Sequence, residues 1–354
     1  MKKIFIYLPI TFALLTASCD KEEFNSDNSI PEYPAANIEN LRQSPYPIGA
    51  AVNINTLKNN QEYRNTVIKE MSSITGENAM KMNTISKGRK EYSFDDADYL
   101  VNFAQENNMR VHGHTLIWYK HTPDWVANFS GSAEDWKTIM KEYIHDVVGR
   151  YKGKVASWDV VNEVIDDKGG LRDCVWLKNI GPEYIELAFQ YAHEADPDAK
   201  LFYNDYGHEY SHTRRYTVNH IADSLAQKGV PIHGIGLQMH TNVNRSENDL
   251  RYAVIAAAMS KLMVHVSEFD VAVNPDSKKD VTFTDELASR QKDRYRTVTK
   301  AMLNIPESQR FGVTMWGVHD PSSWLSSNPD WALPFNDKFE RKPAYDGILQ
   351  GIYQ

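Results

Sequence analysis

From Ile48 onward the chain has a rhythm: short apolar runs of strand type alternate with longer stretches of helical period. The runs are 48–54, 79–86, 109–118, 155–163, 199–205, 232–240, 262–271 and 310–318. Between them lie patterns such as 132–151. There Trp136, Ile139, Met140, Tyr143, Ile144 and Val147 form an apolar stripe at three-to-four spacing, and Ser132 followed by Asp135 gives a start signal. Eight strand–helix units in one chain of this length predict an α/β fold, a single closed (β/α)8 barrel over 48–354. The open, doubly wound sheet is the rival. It announces itself with a glycine-rich first turn, and "IGAAVN" is not one.

The polar residues gather at one end of these runs. Asn83, His114, Trp118, Glu163, Asn204, Asp205, Gln238, His240, Glu268 and Trp316 all lie at or just beyond a C-terminal strand tip. In a barrel that face carries the active site. Glu163 ends the fourth run and Glu268 ends the seventh, on opposite sides of an eight-strand mouth. Two carboxylates facing each other across a bound chain suit glycoside hydrolysis, one protonating the leaving oxygen and one attacking or activating water. Asp270, two residues past Glu268, shares its face and is expected to orient neighbours; Asp159, inside a strand, reads as a satisfied structural acid. Trp136 and Trp158 read as core, and Trp125 as packing for the loop after the third strand.

Charge and termini narrow the partners. With 39 basic and 47 acidic residues and no basic stripe, nucleic acid is excluded as a partner. Twelve histidines are present without an HExxH or comparable cluster, so no catalytic metal and no cofactor is expected. The start "MKKIFIYLPITFALLTASC" reads as a signal peptide over 1–18, with Cys19 as a lipidated first residue. Residues 19–47, rich in Asn, Ser, Pro and Glu, read as a flexible tether. The expectation is a monomer held at the bacterial outer membrane by a lipid anchor only and exposed at the cell surface. Cys174 is then the one remaining thiol, packed rather than reactive.

"GHTLIW", "WDVVNE", "YNDY", "GIGLQMH", "SEFDV", "WGVHDPSSW" and "KPAY", in this order, resemble glycoside hydrolase family 10 from about Ile48 to the end. The resemblance implies a retaining endo-β-1,4-xylanase on a (β/α)8 barrel. Glu163 then matches the acid/base and Glu268 the nucleophile. Asn162 matches the group that binds the 2-hydroxyl of the sugar being cleaved. His240 matches the histidine that hydrogen-bonds the nucleophile, with Gln238 beside it. His114 and Trp118 match sugar-binding positions, and Trp316 and Trp324 the donor-side walls. Glu77, Asn78 and Lys81 match the cluster gripping the next sugar out, and Tyr206 an acceptor-side platform.

The sequence departs from the family at Met82, where Trp is usual, and at Tyr119-Lys120-His121, where His-Ser-Gln is usual. These departures point to altered donor-side recognition, such as a substituted xylan. Two other functions compete. One is a β-1,4-glucanase or mixed-specificity hydrolase. The other is a non-catalytic glycan-binding lipoprotein, which would have lost a carboxylate or its supporting Asn or His.

Overall fold

A computed structural model describes residues 40–353. Eight parallel strands close on themselves: β1 (Ile48–Val52), β2 (Ser73–Gly76), β3 (Arg110–Gly113), β4 (Ser157–Asn162), β5 (Lys200–Asp205), β6 (Gly234–Leu237), β7 (Met263–Ala272) and β8 (Arg310–Met315). Each pairs with the next, and β8 returns to β1 with Ile48 opposite Val313. A helix follows each strand: α1 (Gln61–Glu70), α2 (Asp95–Glu106), α3 (Ala133–Arg150), α4 (Tyr184–Ala195), α5 (His212–Gln227), α6 (Glu247–Ala258), α7 (Asp285–Asn304) and α8 (Pro343–Tyr353). The expected barrel is present, and no helix among the described residues is long and apolar enough to cross a membrane.

Local rules explain the elements. α3 begins at a capping box in which the Ser132 hydroxyl accepts from the Asp135 N–H and the Asp135 carboxylate accepts from the Ser132 N–H. Its stripe of Trp136, Ile139, Met140, Tyr143, Ile144 and Val147 is buried. Gly113 in β3 admits the Trp158 ring, which would lie about 2.2 Å from an added Cβ. The barrel axis is filled, not open. Phe202 and Phe311 meet at 4.5 Å between ring centroids, and His112 and His265 at 4.6 Å. Burying each such phenyl ring contributes roughly 1.5–3 kcal/mol. This plug closes the floor beneath the C-terminal mouth.

Three expectations change. The second strand is Ser73–Gly76, not 79–86; the latter span holds a short helix, Met82–Ile85. Its apolar residues Met82 and Ile85 pack inward at helical spacing. Asn83 therefore sits on a helix, where its amide oxygen faces the His121 ring at 3.2 Å. The packed unit also begins before Ile48. Leu41 is fully buried, its N–H donates to Glu70 at 3.1 Å, and the Tyr46 hydroxyl donates to the Thr299 carbonyl at 2.8 Å. Cys19, the signal segment and the tether as far as residue 39 lie outside the described residues.

Candidate active site

Strand register builds the site. Asn162 is opposite Asn204 across β4 and β5, so their amides meet, with Asn204 Nδ2 donating to Asn162 Oδ1 at 2.9 Å. The same Nδ2 donates to Glu268 Oε1 at 2.7 Å, and Ser267 Oγ fixes the amide by donating to its oxygen at 2.6 Å. Gln238 Nε2 donates to Glu163 Oε1 at 3.0 Å and approaches Asn162 Oδ1 at 3.4 Å. Three amides thus connect the two carboxylates in one chain: Glu163, Gln238, Asn162, Asn204, Glu268. Both carboxylates are buried.

Backbone irregularity aims them. Pairing of β4 with β5 shifts between Asp159 and Val161, and pairing of β7 with β8 shifts between Val266 and Phe269. The first stands just before Glu163 and the second spans Glu268, and bulges beside active sites are frequent. Glu163 itself has φ +54°, and Met239, between Gln238 and His240, has φ +59°. Left-handed backbone at a non-glycine residue costs roughly 1–3 kcal/mol and persists where the surroundings over-determine it. Here the Glu163 N–H donates to the Asn204 carbonyl at 2.9 Å, and its own carbonyl accepts from Arg172 Nε at 3.1 Å.

The Glu268 side is cationic. His240 and Asp270 are register partners, and His240 Nδ1 contacts Asp270 Oδ2 at 2.9 Å while Nε2 contacts Glu268 Oε2 at 3.2 Å. Burial alone would lower the imidazole; Asp270 and Glu268 outweigh it and hold His240 well above its ordinary value. Burial would raise the Glu268 carboxyl; the His240 hydrogen bond and the His114 and His240 charges outweigh it, so Glu268 lies below the usual range. Asp270 Oδ2 also accepts from Trp324 Nε1 at 2.7 Å, tying an exposed indole to this network. Asp270 acts as the orienting charge expected of it. Losing that charge lets the imidazole deprotonate at lower pH. Asp270→Asn should therefore move the His240 titration, followed by NMR of the imidazole, to lower pH. An unchanged titration would contradict the linkage.

Across the mouth, His114 Nδ1 lies 2.8 Å from Asp159 Oδ2, and His112 Nε2 lies 3.0 Å from Asp159 Oδ1. Burial disfavours the Asp159 charge, but the two imidazoles outweigh it and hold this carboxyl well below its ordinary value. Asp159 is thus an ion-paired structural acid beneath the sugar-binding candidates, with only its Oδ2 in a hydrogen bond. Trp118 stacks on His121, with centroids at 5.1 Å. Lys81 is buried, donates to Asn78 Oδ1 at 3.0 Å and lies 5.2 Å from the Trp118 ring centre.

These groups surround a cleft of about 440 Å3. Of the candidates read from sequence, Glu77, Lys81, His114, Trp118, Glu163, Tyr206, Gln238, His240, Glu268, Trp316 and Trp324 line it. Asn78 is exposed and reaches the cleft through Lys81. Asn162 lines a small recess beside it, shared with Trp118 and Glu163. Its Nδ2 is buried without a partner. Tyr206 is braced by its hydroxyl, which donates to Asp167 at 2.6 Å and accepts from Arg172 at 2.7 Å. Met82 does not line the cleft. It is buried in the core, whereas Tyr119 and Lys120 do line the wall.

Four lining residues were not singled out as binding groups: Tyr119, Lys120, Glu209 and Tyr210. Glu209 is buried, no other residue hydrogen-bonds either oxygen, and burial pushes its carboxyl from 4.5 up to about 7. Its raised value means the folded state keeps a proton that the unfolded chain has lost. Stability from this group is complete below about 4.5 and is lost as pH rises to about 7. Glu209→Gln should thus gain melting temperature over the parent across that window, by a few degrees, and hold a constant lead above it. A lead independent of pH would refute this. Nothing in the local apolar pattern marks Glu209, because it sits in a loop after β5.

Comparison with known proteins now bears on this geometry. A profile described as "Glycosyl hydrolase family 10" matches residues 37–351. Endo-1,4-beta-xylanase B of Paenibacillus barcinonensis is 37% identical over 86% of this chain and 95% of its own. Exoglucanase XynX of Acetivibrio thermocellus is 33% identical over 91% of this chain but 29% of its own length, and other long relatives are likewise spanned to about a third. Among solved structures, a xylanase 10C variant of Cellvibrio japonicus in complex with xylopentaose superposes with TM-score 0.85 at 33% identity, covering 90% of this chain and 69% of that one. A closed parallel barrel, one carboxylate just past β4 and one inside β7, and a profile match over nearly its whole length lead to one conclusion: this chain belongs to glycosyl hydrolase family 10.

Proposed function

We propose that the chain hydrolyses internal β-1,4 bonds of xylan by a retaining double displacement. The observation that carries this reading is the pair of buried carboxylates joined by one amide chain but held in unlike surroundings. Glu268 is pressed against a cationic imidazole and stays ionised as the nucleophile. Glu163 touches the neutral amide of Gln238 and gives a proton to the leaving oxygen, then takes one from the water that releases the sugar. Trp118, Trp316, Trp324 and Tyr206 offer faces to the apolar sides of the sugar rings. Lys81, Glu77, His114 and Asn162 offer polar groups to their edges.

The test is incubation with linear β-1,4-xylan, following reducing ends, product length and anomeric configuration by NMR. The reading expects internal cuts and initially β-configured products. Cleavage of β-1,4-glucan with none of xylan would instead support the glucanase reading, which the relative named as an exoglucanase favours. With Tyr119 and Lys120 on the wall, a substituted xylo-oligosaccharide is expected to be cut more efficiently than a linear one; equal efficiency would refute that preference. The presence together of Glu163, Glu268, Asn162 and His240 speaks for a catalyst over a glycan-binding protein without chemistry.

The same proposal places the enzyme at the cell surface as a monomer, with Cys19 carrying the lipid after removal of 1–18. Its support is the basic start, the short apolar run and the small residues before Cys19. Cys19→Ala should leave the protein in the soluble fraction; continued membrane retention would refute the anchor.

A further inference from the structure

Among the described residues, seven large apolar side chains are notably exposed; Tyr216, Tyr252 and Ile255 lie on α5 and α6, and Met259 directly follows α6. Tyr216 is 65% exposed, Tyr252 50% and Met259 73%. Isolated exposed apolar residues need no explanation, but a contiguous set rimmed by polar groups marks an interaction site. A groove of about 330 Å3 runs between the two helices, walled by Tyr216 and Tyr252 with His212, His220, Asn219 and Asp223. We infer that this groove is a second carbohydrate-binding site, outside the catalytic cleft, that holds a β-1,4-linked xylan chain. The inference deepens the proposed function and rests on it.

The lining argues for a sugar chain. Each tyrosine ring has one neighbour beside it and is otherwise largely open. Tyr216 lies parallel to His220, with centroids 5.9 Å apart and planes 3° apart. Arg215 sits 4.7 Å from the centre of the Tyr252 ring. Asn219 Nδ2 donates to the Ala256 carbonyl at 3.0 Å, locking α5 to α6 so that the groove keeps its shape. A pyranose ring presents an apolar face to such a platform and hydroxyl edges to imidazole, amide and carboxylate neighbours. A folded protein partner would need roughly 800 Å2 of matching surface on its side. The groove volume falls in the range of small-ligand sites instead.

Position argues for the same occupant. α5 starts two residues after Tyr210, which lines the catalytic cleft and is 48% exposed. Arg215 ties the loop after β5 to the groove, since Nη1 donates to the His208 carbonyl while its guanidinium covers Tyr252. The groove therefore opens on the chain segment that directly follows a cleft-lining residue. One polymer that leaves the cleft past Tyr210, or a neighbouring chain of the same material, meets tyrosines again on the barrel flank.

The test compares the parent with Tyr216→Ala/Tyr252→Ala, whose side chains are exposed and lie outside the cleft. The probes are insoluble xylan, for binding and hydrolysis, and xylotetraose, a substrate too short to occupy the cleft and the flank together. The inference expects retention on insoluble xylan to weaken by roughly tenfold, from two lost ring contacts, while kcat/KM on xylotetraose stays within about twofold. Equal retention of parent and variant would overturn it. Equal losses on both substrates would also overturn it, since they would place the tyrosines in the service of the cleft or the fold. Failure of the parent to cut either substrate would instead sink the proposed function, and the two failures are thus separable.

Discussion

Glu268→Ala should lower kcat on xylan by at least about 10⁴-fold and leave the protein folded. Without this carboxylate no bond forms to the sugar, so no covalent intermediate exists for water to resolve. The remaining machinery binds but cannot divide the reaction into two steps. The fold should survive because Asn204 keeps its bond to Asn162 and its anchor on Ser267. His240 keeps Asp270. The measurement is reducing-end release alongside a thermal melt. A folded variant retaining a tenth of parental activity would remove Glu268 from the role of nucleophile.

Glu163→Ala should behave differently, and the difference identifies the two roles. Loss of a general acid and base costs roughly 10²–10⁴-fold. On xylan the full loss is expected, since an alkoxide leaves poorly without a proton. On an aryl xylobioside with an acidic phenol, the first step needs no acid and should stay fast. The second step still lacks its base, so phenol is released in a burst and the sugar stays on Glu268. Azide, a nucleophile that needs no base, should restore turnover in this variant and leave Glu268→Ala unaffected. No burst and no azide response would assign Glu163 elsewhere.

Much of this was legible in the sequence, for physical reasons that differ by residue. β7 and β8 are buried along almost their whole length because both faces of a parallel strand are covered, and their frequent apolar residues let their starts be read to within one residue, with Glu268 inside the seventh run. β2 could not. Its four residues, Ser73-Ile74-Thr75-Gly76, hold one large apolar side chain, while the nearby 79–85 stretch is richer in apolar residues. The short helix there borrowed the strand's signal. Asn204 was visible at a strand tip, yet its bond to Glu268 spans 64 positions and depends on barrel closure. The same holds for the Trp324 indole on Asp270, 54 positions away. Glu209 carries no pattern at all, because its environment is made by burial in a loop rather than by period.

The amide chain from Glu163 to Glu268 has a further consequence. The gap between the two acids is gauged by strand pairing and by Gln238, Asn162 and Asn204, of which Asn162 and Asn204 lie within β4 and β5 and Gln238 directly follows β6. The chemistry is therefore insulated from the rim. Tyr119 and Lys120 can drift, and a whole rim segment can be transplanted, without respacing the acids. Natural variation in this enzyme should then be read as a change of diet on a fixed set of teeth.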